Sequence, residues 1–166
     1  MTANTFDEIV TAIHDAPIGS FVGRHGAEVL ARFAGDEVPL ADGELLFHKG
    51  DYASTFYFVT SGRLAFVREA SKNRPQLIIH VLEKGDLVGE LSFIDGSQYT
   101  VSCAALGPAT VLSFRVGDLS PLIDDHPRVL YDFMRAIIAR VHASRASISR
   151  QQQELADYIA TAGKRF

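Results

Sequence analysis

The stretch that decides the fold is residues 45–67, which read LLFHKGDYASTFYFVTSGRLAFV. Short apolar runs alternate here with glycine turns, at Lys49-Gly50-Asp51 and at Ser61-Gly62. Glycine adopts the positive φ of a tight turn without steric cost, so this pattern is typical of strands joined by turns. The alternation on both sides of Ser61-Gly62 predicts a short hairpin. The stretch therefore predicts an all-β sandwich or barrel.

The same pattern extends in both directions along the chain. LIIHVL at 77–82 predicts a buried strand that carries His80, and the runs at 100–106 and 110–116 predict two strands paired across Gly107-Pro108. Further glycine turns fall at Asp42-Gly43, Lys84-Gly85-Asp86, Asp95-Gly96 and Gly117-Asp118. We expect this β body to cover residues 35–119.

Helical spacing of apolar residues appears at both ends of the chain. It covers 5–14 and 22–34, which predicts N-terminal helices within 1–34. After Ser120-Pro121, a helix start signal, residues 120–166 predict C-terminal helices, with one long helix from about 127 to 161.

The long helix carries a row of residues spaced alternately by four and three. We expect this row to pack on the same helix of a second copy and so to form a homodimer. A shorter row, Val129, Phe133, Ala136 and Ile138, is expected to pack on the β body. The alternative is an amphipathic helix, broken near Ser147, that folds back on its own domain. The predicted dimer interface comprises Leu130, Met134, Ile137, Val141, Ser144, Ile148 and Leu155.

Composition and charge limit the classes of function. The single cysteine, Cys103, excludes an internal disulfide, and its alternating apolar surroundings predict a core role. The net charge is −8 over residues 1–127 and +4 over residues 128–166, which argues against nonspecific nucleic-acid binding by the body. We found no membrane-spanning run or secretory signal, so we expect a cytoplasmic protein without a membrane partner.

Two further runs, EKGDLVGELSFIDG at 83–96 and LIDDHPRVLYDFMRAIIARV at 122–141, complete a recognisable order of motifs. Over about residues 22–145 the chain resembles the cyclic nucleotide-binding domain family, which includes catabolite-activator and FNR-type regulators and protein kinase A regulatory subunits. The resemblance implies a mainly β fold, an antiparallel double-stranded β-helix or jelly roll with flanking helices and a long C-terminal dimerisation helix.

The resemblance also implies that GELSFIDGSQYTVS at 89–102 is a phosphate-binding cassette, whose backbone N–H groups face a cyclic phosphate. Glu90 would accept the ribose 2′-hydroxyl proton, or, with no ribose bound, cap the cassette helix or pair with Arg63. Tyr99 falls on the family's arginine, and a one-residue shift puts Thr100 there. Ser144 would meet the purine, with Arg140 one turn earlier. The candidate ligand-binding residues are Gly89, Glu90, Leu91, Ser92, Gln98, Tyr99, Thr100, Ser102 and Ser144.

The predicted function follows from Tyr99, which stands where the family has an arginine. Charge-assisted hydrogen bonds contribute about 1.5–3 kcal/mol each, and a loss of about 3 kcal/mol lowers affinity about a hundredfold. We therefore expect a stand-alone regulatory or sensor domain that requires no cofactor and binds a cyclic nucleotide weakly or a related small molecule instead. The alternatives are a dimeric interaction module without a ligand, acting on a protein partner, and the cyclic AMP-binding sensor part of a Crp/Fnr-type regulator. The given sequence contains no winged-helix DNA-binding module.

Catalysis is not expected. The six histidines are scattered, no H-x-H pair occurs, and no nucleophile elbow or Walker loop is present. His48 and His80 could meet in space, but two nitrogens make a weak metal site. We therefore predict no catalytic residues and no metal ligands.

Overall fold

The computed structural model describes residues 4–162, with side chains except at positions 92, 144–148, 151, 155 and 158–162. The helices are α1 (Phe6–Asp15), α2 (Gly19–Ala31), α3 (Leu91–Asp95), α4 (Leu122–Asp125) and α5 (Pro127–Ala162), with a 3₁₀ turn at Val116–Leu119. The strands are β1 (Glu37–Leu40), β2 (Leu45–Phe47), β3 (Thr55–Ser61), β4 (Leu64–Arg68), β5 (Leu77–Leu82), β6 (Leu87–Val88), β7 (Ser102–Ala105) and β8 (Ala109–Arg115).

The eight strands form two antiparallel four-stranded sheets, in the orders β1-β8-β3-β6 and β2-β7-β4-β5. We call the two sheets together the roll. The predicted mainly β jelly roll with flanking helices is confirmed. The strand core of the roll, with side chains from both sheets, includes Val59, Val111, Leu64 and Cys103, all fully buried. Cys103 thus has the predicted core position.

The chain passes from one sheet to the other between most consecutive strands, and two predicted pairings are therefore wrong. β3 pairs with β8 and β6, whereas β4 pairs with β5 and β7, so Ser61-Gly62 is a corner between sheets and not a hairpin turn. β7 and β8 likewise lie in different sheets across Gly107-Pro108. Local alternation marks where strands lie, but it carries no information about which strands pair.

Gly62 is required at its corner. Its φ is +72°, and a Cβ atom built on it would lie 2.3 Å from the carbonyl oxygen of Pro108. Any larger residue would push apart the two corners of the roll at this point.

The pairing of β4 with β5 is the local hairpin of the roll, closed at its tip by a bridge between Ser71 and Arg74. β5 lies at the edge of its sheet, and Leu77, Ile78 and Ile79 are each about half exposed. The strand prediction for 77–82 is correct, but the predicted burial is wrong for these residues, because only one side of β5 is covered by a neighbouring strand.

The helices cover the outer face of the β1-β8-β3-β6 sheet. Val10 and Ile13 of α1 and Phe133 of α5 pack with Phe56 and Leu112 in a second core. α1 begins at a capping box, in which the Thr5 hydroxyl accepts from the Glu8 N–H and the Glu8 carboxylate accepts from the Thr5 N–H. α2 follows the predicted helix closely but begins earlier, with a break at Gly23.

α5 is one helix of 36 residues, roughly 54 Å long at about 1.5 Å per residue. The single long helix is therefore as predicted, and the break near Ser147 that the alternative included does not occur in its backbone. The two apolar rows on α5 need a correction. Ile137, assigned to the dimer interface, is fully buried in the domain core, whereas Ile138, assigned to the body, is 50% exposed. Packing on the roll therefore follows the 3.6-residue period of a straight helix rather than the 3.5-residue period used for the prediction.

Candidate functional site

The cassette lies between β6 and β7. Gly89 follows β6 with a φ of +77°, Glu90 follows Gly89, and α3 begins at the next residue. The positive φ turns the backbone from the strand into the short helix, which is why glycine is needed there. Glu90 accepts a backbone hydrogen bond from Phe93 at 3.1 Å, which closes the first turn.

Tyr99 is inside the roll and not in solvent. Its side chain stacks on Phe47, with ring centroids 3.7 Å apart and ring planes 12° apart. Its hydroxyl donates to the carbonyl oxygen of Thr55. Only 7% of the residue is exposed, and this burial raises the pKa of the Tyr99 phenol. The ring is therefore a core side chain with its polar end satisfied.

The backbone of Tyr99 is fixed as well. Its N–H donates to the carbonyl of Asp51 at 3.1 Å, and its carbonyl accepts from the Gly50 N–H at 2.8 Å. The loop between β2 and β3 thus binds both the N–H and the carbonyl of Tyr99. The Tyr99 ring could therefore move only by side-chain rotation or together with this loop.

The Tyr99 ring lies directly against Gly89. A Cβ atom at Gly89 would be 2.8 Å from Cε1 of Tyr99, closer than real Cβ contacts. The space in front of this cassette glycine is therefore filled by the residue that aligns with the family's arginine. Tyr57 extends the aromatic group, since its ring is 6.3 Å from that of Phe47.

Glu90 is directed at α5. It is 8% exposed, and its Oε1 lies 3.6 Å from Nε of Arg140. The partner suggested from the sequence, Arg63, is not the one that the structure gives. Burial raises the pKa of the Glu90 carboxyl, and this effect outweighs the opposing attraction of the Arg140 guanidinium.

Arg140 also binds the chain just before the cassette. Its Nη1 donates to Asp86 at 2.8 Å and its Nη2 donates to the carbonyl oxygen of Leu87 at 3.0 Å. The sequence placed Arg140 beside the candidate site without assigning it a partner. Its helical spacing could have predicted that Arg140 faces the domain, because it lies on the same helix face as the buried Phe133 and Ile137.

Ser102 does not face the cassette, which corrects its assignment to the ligand site. Its hydroxyl donates to Glu69 and accepts from the Lys49 N–H at 2.8 Å. Successive residues of a strand face opposite sides, and its neighbour Cys103 faces the interior of the roll, so Ser102 lies on the other face of β7, where it is buried. Hydrogen bonds from Ser102 and then from His48 lower the pKa of the Glu69 carboxyl.

The remaining candidate ligand residues do not converge on Tyr99. Leu91, Gln98 and Thr100 are exposed, with Leu91 at 48%. The side chains of Ser92 and Ser144 lie outside the described residues. The structure therefore brings together Gly89, Glu90 and Tyr99 of the predicted set and adds Phe47 and Arg140.

The two histidines considered as metal ligands have other neighbours. His48 pairs with Glu69 at 2.8 Å, and the ring of His80 lies 6.4 Å from that of Phe66. Across the described residues, no three His, Cys, Asp or Glu side chains are grouped as a metal site would require. Within the same residues, no helix is long and apolar enough to cross a membrane.

A cavity of about 610 Å³ lies away from the cassette. It is lined by α1 residues such as Asp7, Glu8 and Asp15 and, on the roll, by Phe58 and Lys84.

Comparisons with known proteins agree with the fold. The family model described as "Cyclic nucleotide-binding domain" matches residues 37–126. The chain is 28% identical over 111 residues to lysophospholipase nte1 of Neurospora crassa, a match that covers 67% of this chain and 7% of that protein. The chain therefore corresponds to only a small part of such curated relatives.

Two solved structures show the same fold. The N-terminal domain of a transcriptional regulator from Streptomyces coelicolor A3(2) superposes with a TM-score of 0.67 at 28% identity, over 82% of this chain and 94% of that chain. The regulatory domain of Toxoplasma gondii PKA with cAMP superposes with a TM-score of 0.66 at 16% identity, over 84% and 50%.

Proposed function

The chain belongs to the cyclic nucleotide-binding domain family, and from this premise we propose that it is a non-enzymatic regulatory domain whose nucleotide pocket is filled by its own Tyr99. The domain would then act through its α5 helix and its surface, without cyclic nucleotide bound in the manner of its relatives. We assign it to the cytoplasm, where its buried free thiol Cys103 remains reduced.

One observation carries this proposal, namely the contact of the Tyr99 ring with Gly89 and Phe47. In the family, the cassette glycine lies beside the cyclic phosphate, and the residue at position 99 supplies its counter-charge. Here the same position supplies a neutral ring that occupies the space. A nucleotide would have to displace a stacked, hydrogen-bonded side chain and would gain no arginine in return.

Glu90, which binds the ribose in the family, is also engaged. Its Oε1 forms a 3.6 Å ion pair with Nε of Arg140, so a ribose hydroxyl would share the carboxylate with this guanidinium. The phosphate has no arginine partner and Tyr99 occupies its space, so we expect affinities for cyclic nucleotides weaker than about 0.1 mM, a hundredfold below a micromolar site.

We further propose that the domain is a homodimer through α5. Most of the stability of helices in proteins comes from packing of an apolar face. Met134 and Val141 are partly exposed and Ile138 is half exposed, on a flank of α5 that the roll leaves uncovered. Packing against a second copy would cover this row.

The test is thermal unfolding of the unmodified protein with a panel of cyclic nucleotides at about 1 mM. A site with a dissociation constant of about 10 µM would gain about 2.7 kcal/mol at that concentration. For a domain of this size the gain raises the Tm by roughly 5–10 °C. A dissociation constant of 0.1 mM would give about 1.4 kcal/mol, so we expect every nucleotide to shift the Tm by less than about 3–6 °C. Saturable binding of a cyclic purine nucleotide below about 10 µM in calorimetry would reject the proposal.

A further inference from the structure

The short cassette helix α3 exposes two large aliphatic side chains. Leu91 is 48% exposed and Ile94 is 43% exposed, whereas Phe93 between them packs against the domain core. A helix of five residues that turns one aromatic side chain inward and two aliphatic side chains outward has an apolar outer surface. Exposed apolar surface of this kind, adjacent to other such surface, is typical of interaction sites.

α3 lies beside the part of α5 that carries the exposed apolar row. The rings of Phe93 and Phe133 are 5.8 Å apart. Glu90, the residue immediately before α3, reaches Arg140 on the same face of α5. α3 and the residue before it therefore contact α5 at Phe133 and Arg140.

The opposite flank of α5 is occupied by α2. A Cβ atom at Gly26 would be 3.7 Å from Val129, and the Arg135 guanidinium lies 5.7 Å from the ring of Phe21. With 3.6 residues per turn, Met134, Ile138 and Val141 are centred about 100° from Phe133, on the side away from α2. α2 therefore does not cover these three residues.

We propose that Leu91 and Ile94 join Met134, Ile138 and Val141 in one apolar surface, the α3–α5 face, and that a second copy of this chain covers it. This inference rests on the proposed homodimer and names the cassette helix as part of its interface. In a two-fold symmetric contact the same face occurs on both copies, so an apolar face is complementary to itself.

A second copy is the occupant that fits the length of α5. The helix continues from Val141 to Ala162, roughly another 30 Å. At the four-three steps that follow Val141 its sequence alternates polar and apolar residues, namely Ser144, Ile148, Gln151 and Leu155. Only a long helix can accompany such a row, and the second copy supplies one of equal length and period.

The test uses glutamate substitutions of exposed residues and sedimentation velocity over a range of concentrations. We expect Leu91→Glu and Ile94→Glu each to raise the dimer dissociation constant by about tenfold or more, as expected for a charge at an apolar interface. Ile123→Glu on α4 is the matched control, since Ile123 is 62% exposed and outside the α3–α5 face. It should change the constant by less than about twofold.

The outcomes separate the two proposals. If Ile138→Glu dissociates the dimer while Leu91→Glu and Ile94→Glu do not, α3 is outside the interface and only this inference fails. If the unmodified protein is a monomer at 100 µM or if Ile138→Glu has no effect, the proposed α5 dimer fails as well. Hydrogen exchange of the unmodified protein gives an independent reading, because the α3 amides should exchange more slowly at high than at low protein concentration. Equal exchange at both concentrations would overturn the inference even if a substitution impaired folding.

Discussion

Arg140 of α5 and Glu90 of the cassette lie 3.6 Å apart in a buried ion pair, and Arg140 also binds Asp86 and the Leu87 carbonyl. A single guanidinium thus connects the long helix to β6, to the turn before β6 and to Glu90 at the start of the cassette. In the proposed function this contact keeps α5 docked without any ligand. The pair links the two parts of the molecule whose relative position a regulatory domain would control.

Removing the guanidinium should destabilise the domain strongly. We expect Arg140→Met to lower the free energy of unfolding by about 3 kcal/mol or more, because it leaves the Glu90 carboxylate buried without its counter-charge. Arg135→Met is the matched control, since Arg135 is half exposed and its pair with Asp132 is on the surface. That variant should lose less than about 1 kcal/mol. Urea unfolding monitored by circular dichroism gives both values, and equal losses would argue against a special role for Arg140.

The pH dependence of stability should carry the signature of Glu90. Its pKa is raised in the folded state, so its contribution is fully present below its ordinary pKa of 4.5 and is lost as the pH rises through the folded value. Relative to Glu90→Gln, the unmodified protein should therefore lose stability as the pH rises above 4.5. Thermal unfolding of both proteins between pH 4 and 8 measures the difference.

Glu69→Gln provides the opposite sign when the same experiment is extended below pH 4. Hydrogen bonds lower the Glu69 pKa, so its contribution is present above pH 4.5 and is lost as the pH falls through the folded value. A difference curve for Glu90 with the sign expected for Glu69 would show that Arg140 dominates over burial.

Tyr99→Arg should partly restore nucleotide binding. The substitution returns a cation beside Gly89, and we expect cyclic AMP affinity to rise about tenfold to a hundredfold in calorimetry. Without nucleotide the same variant should be less stable than the parent, because the arginine replaces a ring stacked on Phe47. Tyr99→Phe keeps the ring and serves as the control with no gain in affinity. No gain in Tyr99→Arg would mean that other parts of the cassette have also changed.

Two neighbouring positions on α5 should respond differently to a charge. Val141→Glu should dissociate the proposed dimer while the domain stays folded, because Val141 lies on the free flank of the helix. Ile137→Glu should unfold the domain instead, since Ile137 is completely buried in the core. Sedimentation together with circular dichroism distinguishes the two results. An unchanged mass for Val141→Glu would exclude this flank as the interface.

The sequence predicted the local features of the fold well. The glycine turns mark the strand ends, and positive φ at Gly43, Gly50, Gly62, Gly85 and Gly89 shows why glycine occupies them. Pairing could not be predicted in the same way, because the corner at Gly62 and a hairpin turn have the same local sequence. The exposure of Ile78 on β5 depends on its edge position, which is a property of the whole sheet.

The site was predicted only in part, because its contacts, like the strand pairing, join residues far apart in the chain. The absence of a positive charge at Tyr99 was visible in the sequence, but the stacking of its ring on Phe47 requires two residues far apart in the chain to meet. Ser102 has the residue type of a ligand group, yet strand alternation places it on the face of β7 opposite Cys103. The pair of Glu90 with Arg140 joins residues 50 positions apart and could not be derived from either position alone.

The pairing of β1 with β8 has a consequence for synthesis of the chain. Glu37 lies opposite Leu112 and Leu40 lies opposite Ala109, so the first strand of the roll can pair only after the last strand has been made. During translation β1 would remain unpaired until about residue 115 has left the ribosome, and closure would join segments about 70 residues apart. Folding of this domain should therefore be slow and should depend on a nearly complete roll.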